Sequence, residues 1–413
     1  MARVLILSLV FPPDGVSTAQ LMGELAQDLA AGGHDVSVVT TVPHYNRDRD
    51  AEEFQPLTRI ACSVVRRSVF HDIPVFHVPM PADRSTVLGR LRGWLSFHIL
   101  GFYAALRHTP RPDVILVPSP LLTAAVVAWA INLVRGGCYI YNVQELYPDL
   151  AVQMGRLRNP SALGALKWLE RFVYGRAGAV TAISHGIYEQ VAKRGIDTDR
   201  LHLIPNFVDT TEIRPQARRS EFAIEWGLED TFNVSYAGNM GYAQGLDTVL
   251  DAAELCSTER VRFALIGRGV LTSRLEAEIA RRRIDNVLLI DHQPYSMMPA
   301  VHGASDVCLV PLLGEVNGSA LPSKVFRIMA WGRPIIAMCD PESELADIVR
   351  DSGAGLVVPA GRADLLLEAV GLLAEDDERR QRMASAGRDF VERHYSRDVV
   401  TRRYVDLVAD LSA

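Results

Sequence analysis

At 413 residues the chain is too long for one ordinary core, so two or three domains are expected. With 48% hydrophobic and 22% charged residues and a formal net charge of −6, it reads as a globular protein, and the charge gives no reason to expect nucleic acid. Its cysteines (Cys62, Cys138, Cys256, Cys308, Cys339) are scattered, odd in number and never at CxxC spacing. They point to reduced thiols in a cytosolic protein and away from a disulfide framework or a Cys/His metal site.

Met1–Val10 is a short apolar run with no small-residue cleavage site after it, so a buried first strand is expected rather than a signal peptide. The pattern then alternates. Val4–Val10 reads as a strand, Thr18–Ala31 as a helix and Val36–Thr41 as a strand. Asp113–Pro118, Cys138–Val143, Ala179–Ile183 and Leu201–Pro205 continue as strands, with helices over Leu121–Arg135, Ala162–Gly175 and Gly186–Arg194. A charged stretch, Asp209–Arg219, interrupts the pattern. It restarts with strands at Phe232–Ala237, Val261–Ile266, Val287–Ile290, Val307–Pro311, Ile335–Met338 and Gly355–Val358. Such alternation means parallel sheets covered on both faces. Two runs of it predict two doubly wound domains, residues 1–208 and 209–396, with a last helix, 397–413, crossing back to the first. Ligands of such sheets lie beyond the carboxyl ends of the strands, which makes a cleft between the domains the expected active site.

The segment Gly318–Pro334 carries the most local information. Pro322 is placed to be the first residue of a helix, Gly332 to be the left-handed residue after it, and Pro334 to prevent continuation. A loop of small residues (Asn317, Gly318, Ser319) between a strand and a helix start is suited to an anion, because free amides and the positive helix end point the same way. Lys324 adds a charge where a helix does not favour a cation. A bound phosphate and simple solvation are both open for it. By contrast, Phe11-Pro-Pro-Asp-Gly-Val16 follows the first strand where a dinucleotide enzyme places GxGxxG, so a nicotinamide cofactor is not expected there. Gly15 either lets a ligand approach the backbone or forms a plain turn.

These residues carry a family resemblance over nearly the whole chain. Pro12–Gly15 with Gly32–Thr40, Pro118-Ser-Pro120, Val143-Gln-Glu-Leu-Tyr-Pro-Asp149 and Ile204-Pro-Asn-Phe-Val-Asp209 come first. Tyr236-Ala-Gly-Asn-Met-Gly241 with Gln244-Gly-Leu246, Leu321-Pro-Ser-Lys324, Ile328-Met-Ala330 and Gly332-Arg-Pro334 follow. In their order and spacing the chain resembles glycosyltransferase family 4, of the two-domain GT-B fold, and within it the transferases of bacterial O-antigen, colanic-acid and capsule assembly. The resemblance implies transfer of a sugar, with retention, from a nucleotide-sugar, here a UDP-sugar, to an acceptor hydroxyl on a sugar or polyprenyl-linked intermediate. It implies no metal and no cofactor beyond that co-substrate, and a cytoplasmic enzyme, peripheral on the inner face of the cell membrane.

It also assigns parts. Asn239, Gly241 and Arg268 in two glycine loops, with Ser319, Ala320, Leu321, Lys324 and Arg327, should surround the diphosphate and nucleoside. Gln293 and Pro294 should meet the base, while Gly15, Ser119 and Glu145–Asp149 should face the acceptor. The leaving diphosphate gains charge as the glycosidic bond breaks, so amides, Lys324 and Arg268 would stabilise it most when that charge is fullest. Arg268 also reads as an ordinary exposed turn residue. Glu145 and Asp149 are paired carboxylates on a strand-end loop, able to take the acceptor proton or stabilise sugar charge, or else to fix the loop. His44 is a rival on another strand-end loop. Asp48-Arg-Asp50 and Asp197-Thr-Asp199 sit among charges in predicted loops and do not read as metal sites.

One departure stands out. Where the family has a glutamate for the ribose hydroxyls, this chain has Arg327, which has donors only. Arg327 reaches a phosphate, another carboxylate such as Glu342 or Glu344 serves the ribose, or the donor is altered. The stretch 84–112 suggests a partner of another kind. It holds Arg84, Arg90, Arg92, Arg107 and Arg111 and no acidic residue, with one stripe through Leu88, Leu91, Leu95, Ile99, Phe102 and Leu106 and with Trp94, Phe97 and Tyr103 off it. It reads as a basic aromatic helix on an anionic membrane or as a helix buried against the sheet. Two other functions fit the frame: a GT-B nucleotide-sugar epimerase, or a non-catalytic nucleotide-sugar-binding protein.

Overall fold

A computed structural model describes residues 1–44, 49–80, 87–149, 152, 159–313 and 321–413. Two compact units divide it, Met1–Asn206 with Asp398–Ala413, and Phe207–Arg397.

The first unit is built on a nine-stranded sheet. Its strands are β1 (Arg3–Leu7), β2 (Asp35–Thr41), β3 (Thr58–Arg59), β4 (Arg66–Phe70), β5 (Ile73–Val78), β6 (Val114–Pro118), β7 (Cys138–Val143), β8 (Ala179–Ala182) and β9 (Leu201–Leu203). They lie in the order β3-β4-β5-β2-β1-β6-β7-β8-β9. From β5 to β9 every pairing is parallel, and β1, β6 and β8 are buried almost throughout, as continuous apolar runs require. The β3-β4-β5 end is antiparallel and was not foreseen. Its hairpin turns at His71-Asp72, both with positive φ (45° and 66°). A two-residue turn of that geometry is normally announced by Asn-Gly or Asp-Gly, and this one lacks the glycine. The Arg397–Ser412 helix closes the unit: Tyr404 is buried, and its hydroxyl accepts from Asn142 Nδ2 at 2.8 Å.

The basic stretch forms the Val87–His108 helix. Phe97, Ala104 and Ala105 make its buried face, while Leu95 and Ile99 are each 60% exposed. Leu95 and Ile99 of the foreseen stripe are thus turned outward, whereas Phe102 and Leu106 of the same stripe pack against the core, and small residues (Gly93, Gly101, Ala104, Ala105) are buried beside Phe97. Arg84 lies outside the described residues.

The second unit carries a six-stranded, all-parallel sheet: β10 (Phe232–Ala237), β11 (Val261–Ile266), β12 (Val287–Ile290), β13 (Val307–Pro311), β14 (Ile335–Cys339) and β15 (Gly355–Pro359). The order β12-β11-β10-β13-β14-β15 reverses direction between β10 and β13. In an open parallel sheet that reversal leaves a crevice at the carboxyl ends of the two strands, where ligands bind. The equivalent point in the first unit lies between β1 and β6. The segments carrying Gly15 and Ser119 follow β1 and β6, and those carrying Gly238 and Lys324 follow β10 and β13.

Candidate active site

In the second unit two glycine loops leave β10 and β11 and lock into each other. The Gly238 amide donates to Ile266 O at 2.9 Å, Met240 to Arg268 O at 3.1 Å and Leu271 to Met240 O at 3.0 Å. A Cβ on Gly267 would lie 2.1 Å from Gly238 O, and one on Gly269 would lie 2.3 Å from Met240 O. Gly267 also holds φ +135°, closed to other residues. Asn239 is exposed at the loop tip, and Gly241, buried, donates to Gln244 Oε1 at 3.1 Å. Tyr236, the last aromatic of β10, donates its hydroxyl to Asn239 O at 2.7 Å and so fixes the loop from beneath.

Lys324 enters this arrangement from the helix Lys324–Ala330. Its ammonium donates to Ala237 O at 3.2 Å and stands 4.1 Å above the Tyr236 ring centre. A Cβ on Gly238 would come within 2.6 Å of Nζ, so the glycine leaves room for the charge at the backbone. Among the described residues no carboxylate pairs with Lys324. The surrounding protein pushes its pKa down to about 8, since water no longer solvates the charged form fully. The helix itself departs from expectation. It begins two residues beyond Pro322, whose carbonyl accepts from Val325 N–H at 3.1 Å, so Pro322 opens the turn before the helix and is not its first residue. Gly332 does take the left-handed conformation, φ +62°. Leu321 packs into the core, and Ser319 and Ala320 lie outside the described residues.

Arg327, one turn further on, holds its guanidinium 5.7 Å from the ring centre of Tyr295, which is 51% exposed. Tyr295 follows Gln293 and Pro294 in the loop after β12, where Gln293 Nε2 donates to Asp291 O at 3.1 Å. The structure therefore brings Arg327 to the loop foreseen for the base. Glu342 is exposed, its amide held by Asp340 Oδ1 at 2.9 Å, and Glu344 begins the Glu344–Ser352 helix. Arg268 forms a two-pronged pair with Asp291 at 2.7 and 2.6 Å, both side chains exposed. Its charge is shared there, which supports the turn-residue reading. Under the helix, buried His302 stacks on Trp331, with Arg333, Lys324 and Arg327 nearby. Burial and those cations push its pKa down to about 4, so it adds no positive charge at neutral pH.

In the first unit Ser119 organises the loop after β7. Its hydroxyl accepts from the amides of Gln144 (2.9 Å) and Glu145 (3.2 Å). Glu145 keeps solvent contact, while the protein around its carboxyl raises its pKa from the ordinary range. Asp149, the other carboxylate of the pair, is held in an ion pair. Its carboxylate is engaged by Arg194, which also meets Glu170, itself 3% exposed and accepting from Tyr174 OH at 3.1 Å. That engagement favours the loop-fixing alternative for Asp149. Gly15 and His44 meet through buried Asp14, whose carboxylate accepts from the His44 amide at 2.8 Å, while His44 Nδ1 lies 2.8 Å from Thr41 Oγ1. Asp197 accepts from the Asp199 amide at 3.1 Å as the cap of a short turn, and Asp48 lies outside the described residues.

Sequence reasoning missed Tyr236, Tyr295 and the Arg194–Glu170 pair. Tyr236 stood in the family-like motif Tyr236–Gly241 without a role of its own, and nothing local marked Tyr295. The third joins residues far apart in the chain, and no local pattern marks it.

Two parallel-sheet α/β units, with a lysine and interlocked glycine loops at the switch point of the second, define a nucleotide-sugar glycosyltransferase of the GT-B fold. Residues 18–206 match the glycosyl transferase 4-like domain, and residues 231–376 match the glycosyl transferases group 1 domain. The chain is 23% identical over 415 residues to the putative colanic acid biosynthesis glycosyl transferase WcaI of Escherichia coli strain K12, covering 98% of this chain and 99% of that one. Among solved structures, the sucrose-phosphate synthase of Thermosynechococcus elongatus superposes with a TM-score of 0.75 at 16% identity, covering 99% of each chain. Anabaena HepE in complex with UDP-glucose does so at 0.72 and 15% identity, covering 99% of this chain and 100% of that one. At those identities the structural likeness shows the fold. The chain belongs to glycosyltransferase family 4.

Proposed function

We propose that the protein is a retaining glycosyltransferase. It moves a sugar (a hexosyl or N-acetylhexosaminyl group) from a UDP-sugar to a hydroxyl of a lipid-linked or cell-surface polysaccharide intermediate. The second unit takes the donor and the first the acceptor. The observation that carries this reading is Lys324: a partly buried ammonium with no carboxylate partner among the described residues, aimed beneath Gly238 at the strand switch point. Such a charge is unfavourable alone and strongly favourable once a diphosphate arrives. As the glycosidic bond breaks, the departing β-phosphate gains charge, and Lys324 and the loop amides stabilise it more in the transition state than in the ground state. This assigns the charge stabilisation to the chain's own groups, so activity should survive a chelator. UDP is favoured because HepE, of the same fold, is solved with UDP-glucose. The acceptor is favoured by the likeness to WcaI.

Glu145 is the carboxylate we assign to assist the acceptor, because burial raises its pKa and makes it a better proton acceptor than an ordinary carboxylate. Nucleotide release should be measured with and without a lipid-linked acceptor extract, after a thermal-shift screen of UDP- and GDP-sugars. Release that depends on acceptor, with product retaining the donor's anomeric configuration, is expected. Conversion of the donor without acceptor would make the protein an epimerase, and binding without turnover would make it a non-catalytic binder.

A further inference from the structure

The loop that carries Glu145 is held by side chains remote from it in the chain. β7 ends at Val143, and a line of neutral amides begins inside the first unit at Asn142, which is fully buried. Asn142 Nδ2 donates to Tyr404 OH at 2.8 Å and to Oγ1 of Thr181, its cross-strand neighbour on β8, at 3.0 Å. Asn142 Oδ1 accepts from Gln144 Nε2 at 2.6 Å. Gln144 in turn pairs face to face with Asn206. Its Nε2 donates to Asn206 Oδ1 at 3.0 Å, and Asn206 Nδ2 donates back to Gln144 Oε1 at 2.7 Å. Both hydrogens of the Gln144 amide and its oxygen are thus used. Asn206, 62 residues after Gln144, is where the chain leaves the first unit, and Tyr404 lies on the Arg397–Ser412 helix that returns to it.

These bonds converge on one residue. The backbone amides of Gln144 and Glu145 both donate to Ser119 Oγ, at 2.9 and 3.2 Å, and Leu146, on the other side of Glu145, is fully buried. Glu145 therefore sits between two anchored neighbours, and none of the bonds just named is made by its own carboxyl. The frame is neutral throughout, with burial pushing the Tyr404 phenol up to about 12, so it adds no charge to the carboxyl it carries. The reciprocal pair also fixes direction. Turning over either amide would set N–H against N–H and oxygen against oxygen.

We propose that Gln144 is a positioning residue of the transfer reaction: paired with Asn206 and tied through Asn142 to the returning helix, it holds the Glu145 carboxyl where the acceptor hydroxyl gives up its proton. The inference rests on the reading of Glu145 as the carboxylate that assists the acceptor. It goes beyond that reading by making two distant segments of the chain part of the acceptor side. Without the pair, the carboxyl and the donor loops remain but the loop after β7 is free to shift. Misplacing a reacting group by about 1 Å costs on the order of a hundredfold in rate.

The test is steady-state turnover of the full chain, read as UDP release, with a UDP-sugar and the lipid-linked acceptor extract. Gln144→Met keeps the length of the side chain and removes its bonds, and Asn206→Ala removes the other half of the pair. Each should lower kcat about tenfold or more, with little change in the amounts of donor and extract that half-saturate the enzyme and with calorimetric UDP affinity unchanged. Because the two side chains act as one unit, the double variant should lose no more than the worse single variant. A role in folding alone would lower the melting temperature and leave kcat of the folded protein as it was. Unchanged kcat in both folded single variants, or losses that multiply in the double variant, would overturn the proposal. Glu145→Gln separates the inference from the reading beneath it. Strong loss there with none in Gln144→Met removes the positioning role alone. Full activity in Glu145→Gln removes the reading of Glu145 and the positioning role with it.

Discussion

Raising the pH should loosen the nucleotide through one side chain. Lys324 titrates at about 8 in the free protein, against 10.5 for an unburied lysine, because burial disfavours its charged form. A diphosphate beside it restores the charge, so its pKa rises again in the complex. About nine-tenths of the free protein carries the charge at pH 7 and about one-tenth at pH 9, so UDP affinity should fall about tenfold over that range, ~1.4 kcal/mol. Binding at pH 8 should take up roughly half a proton, seen as a dependence of the calorimetric heat on the ionisation enthalpy of the buffer. Lys324→Arg, always charged, should bind with little change between pH 7 and 9. The same shift acts on folding with its own sign. Between about pH 8 and 10.5 the unfolded chain binds more protons at this site, so the free protein gains stability as pH rises through that window. A flat affinity profile in the parent protein, or one that falls equally in Lys324→Arg, would refute the reasoning.

Other outcomes follow from the same contacts. Gly267→Ala would set a Cβ 2.1 Å from Gly238 O at φ +135°, so the two loops must part; a loss of roughly 3 kcal/mol in thermal melting, or an intact fold with donor binding abolished, is expected. Arg194→Ala leaves buried Glu170 without its cation and should destabilise the fold by about 3–5 kcal/mol by denaturant unfolding. His77 and His302 are buried with pKa values near 4, below the 6.5 of an exposed histidine, so the unfolded chain binds more protons between those values. Stability should therefore fall as pH drops from 6.5 to 4, by up to roughly 3 kcal/mol per histidine, and His302→Gln should lessen the dependence in an acid denaturation series. Arg327→Ala should weaken UDP-sugar binding several-fold by calorimetry; unchanged affinity would remove Arg327 from the site.

The alternating architecture was legible because parallel strands must be apolar on both faces: Val307–Pro311 and Ile335–Cys339 could scarcely be anything else. The hairpin at His71-Asp72 was not, since its backbone adopts positive φ without the residues that usually signal it. Leu95 and Ile99 misled for a different reason. Periodicity finds an apolar face but does not say which way it points, and the smaller residues of that helix took the sheet side. At the site, Lys324 could be singled out because a cation at a helix start contradicts the helix dipole, a conflict visible in one turn of sequence. What sits around it could not. That Gly267 touches Gly238 and that Tyr236 lies under the ammonium depend on the strand order, which places β10 between β11 and β13. Asp149 looked like half of a carboxylate pair because Arg194 is distant in sequence and adjacent in space.

The most direct measurement is calorimetric titration of UDP into the parent protein and Lys324→Ala at pH 7. One charge-assisted contact to phosphate is worth about 1.5–3 kcal/mol, so the variant should bind roughly 10- to 100-fold more weakly with its melting temperature preserved or raised. Equal affinity in a folded Lys324→Ala protein would contradict the assignment of the diphosphate to the β10–β13 switch point.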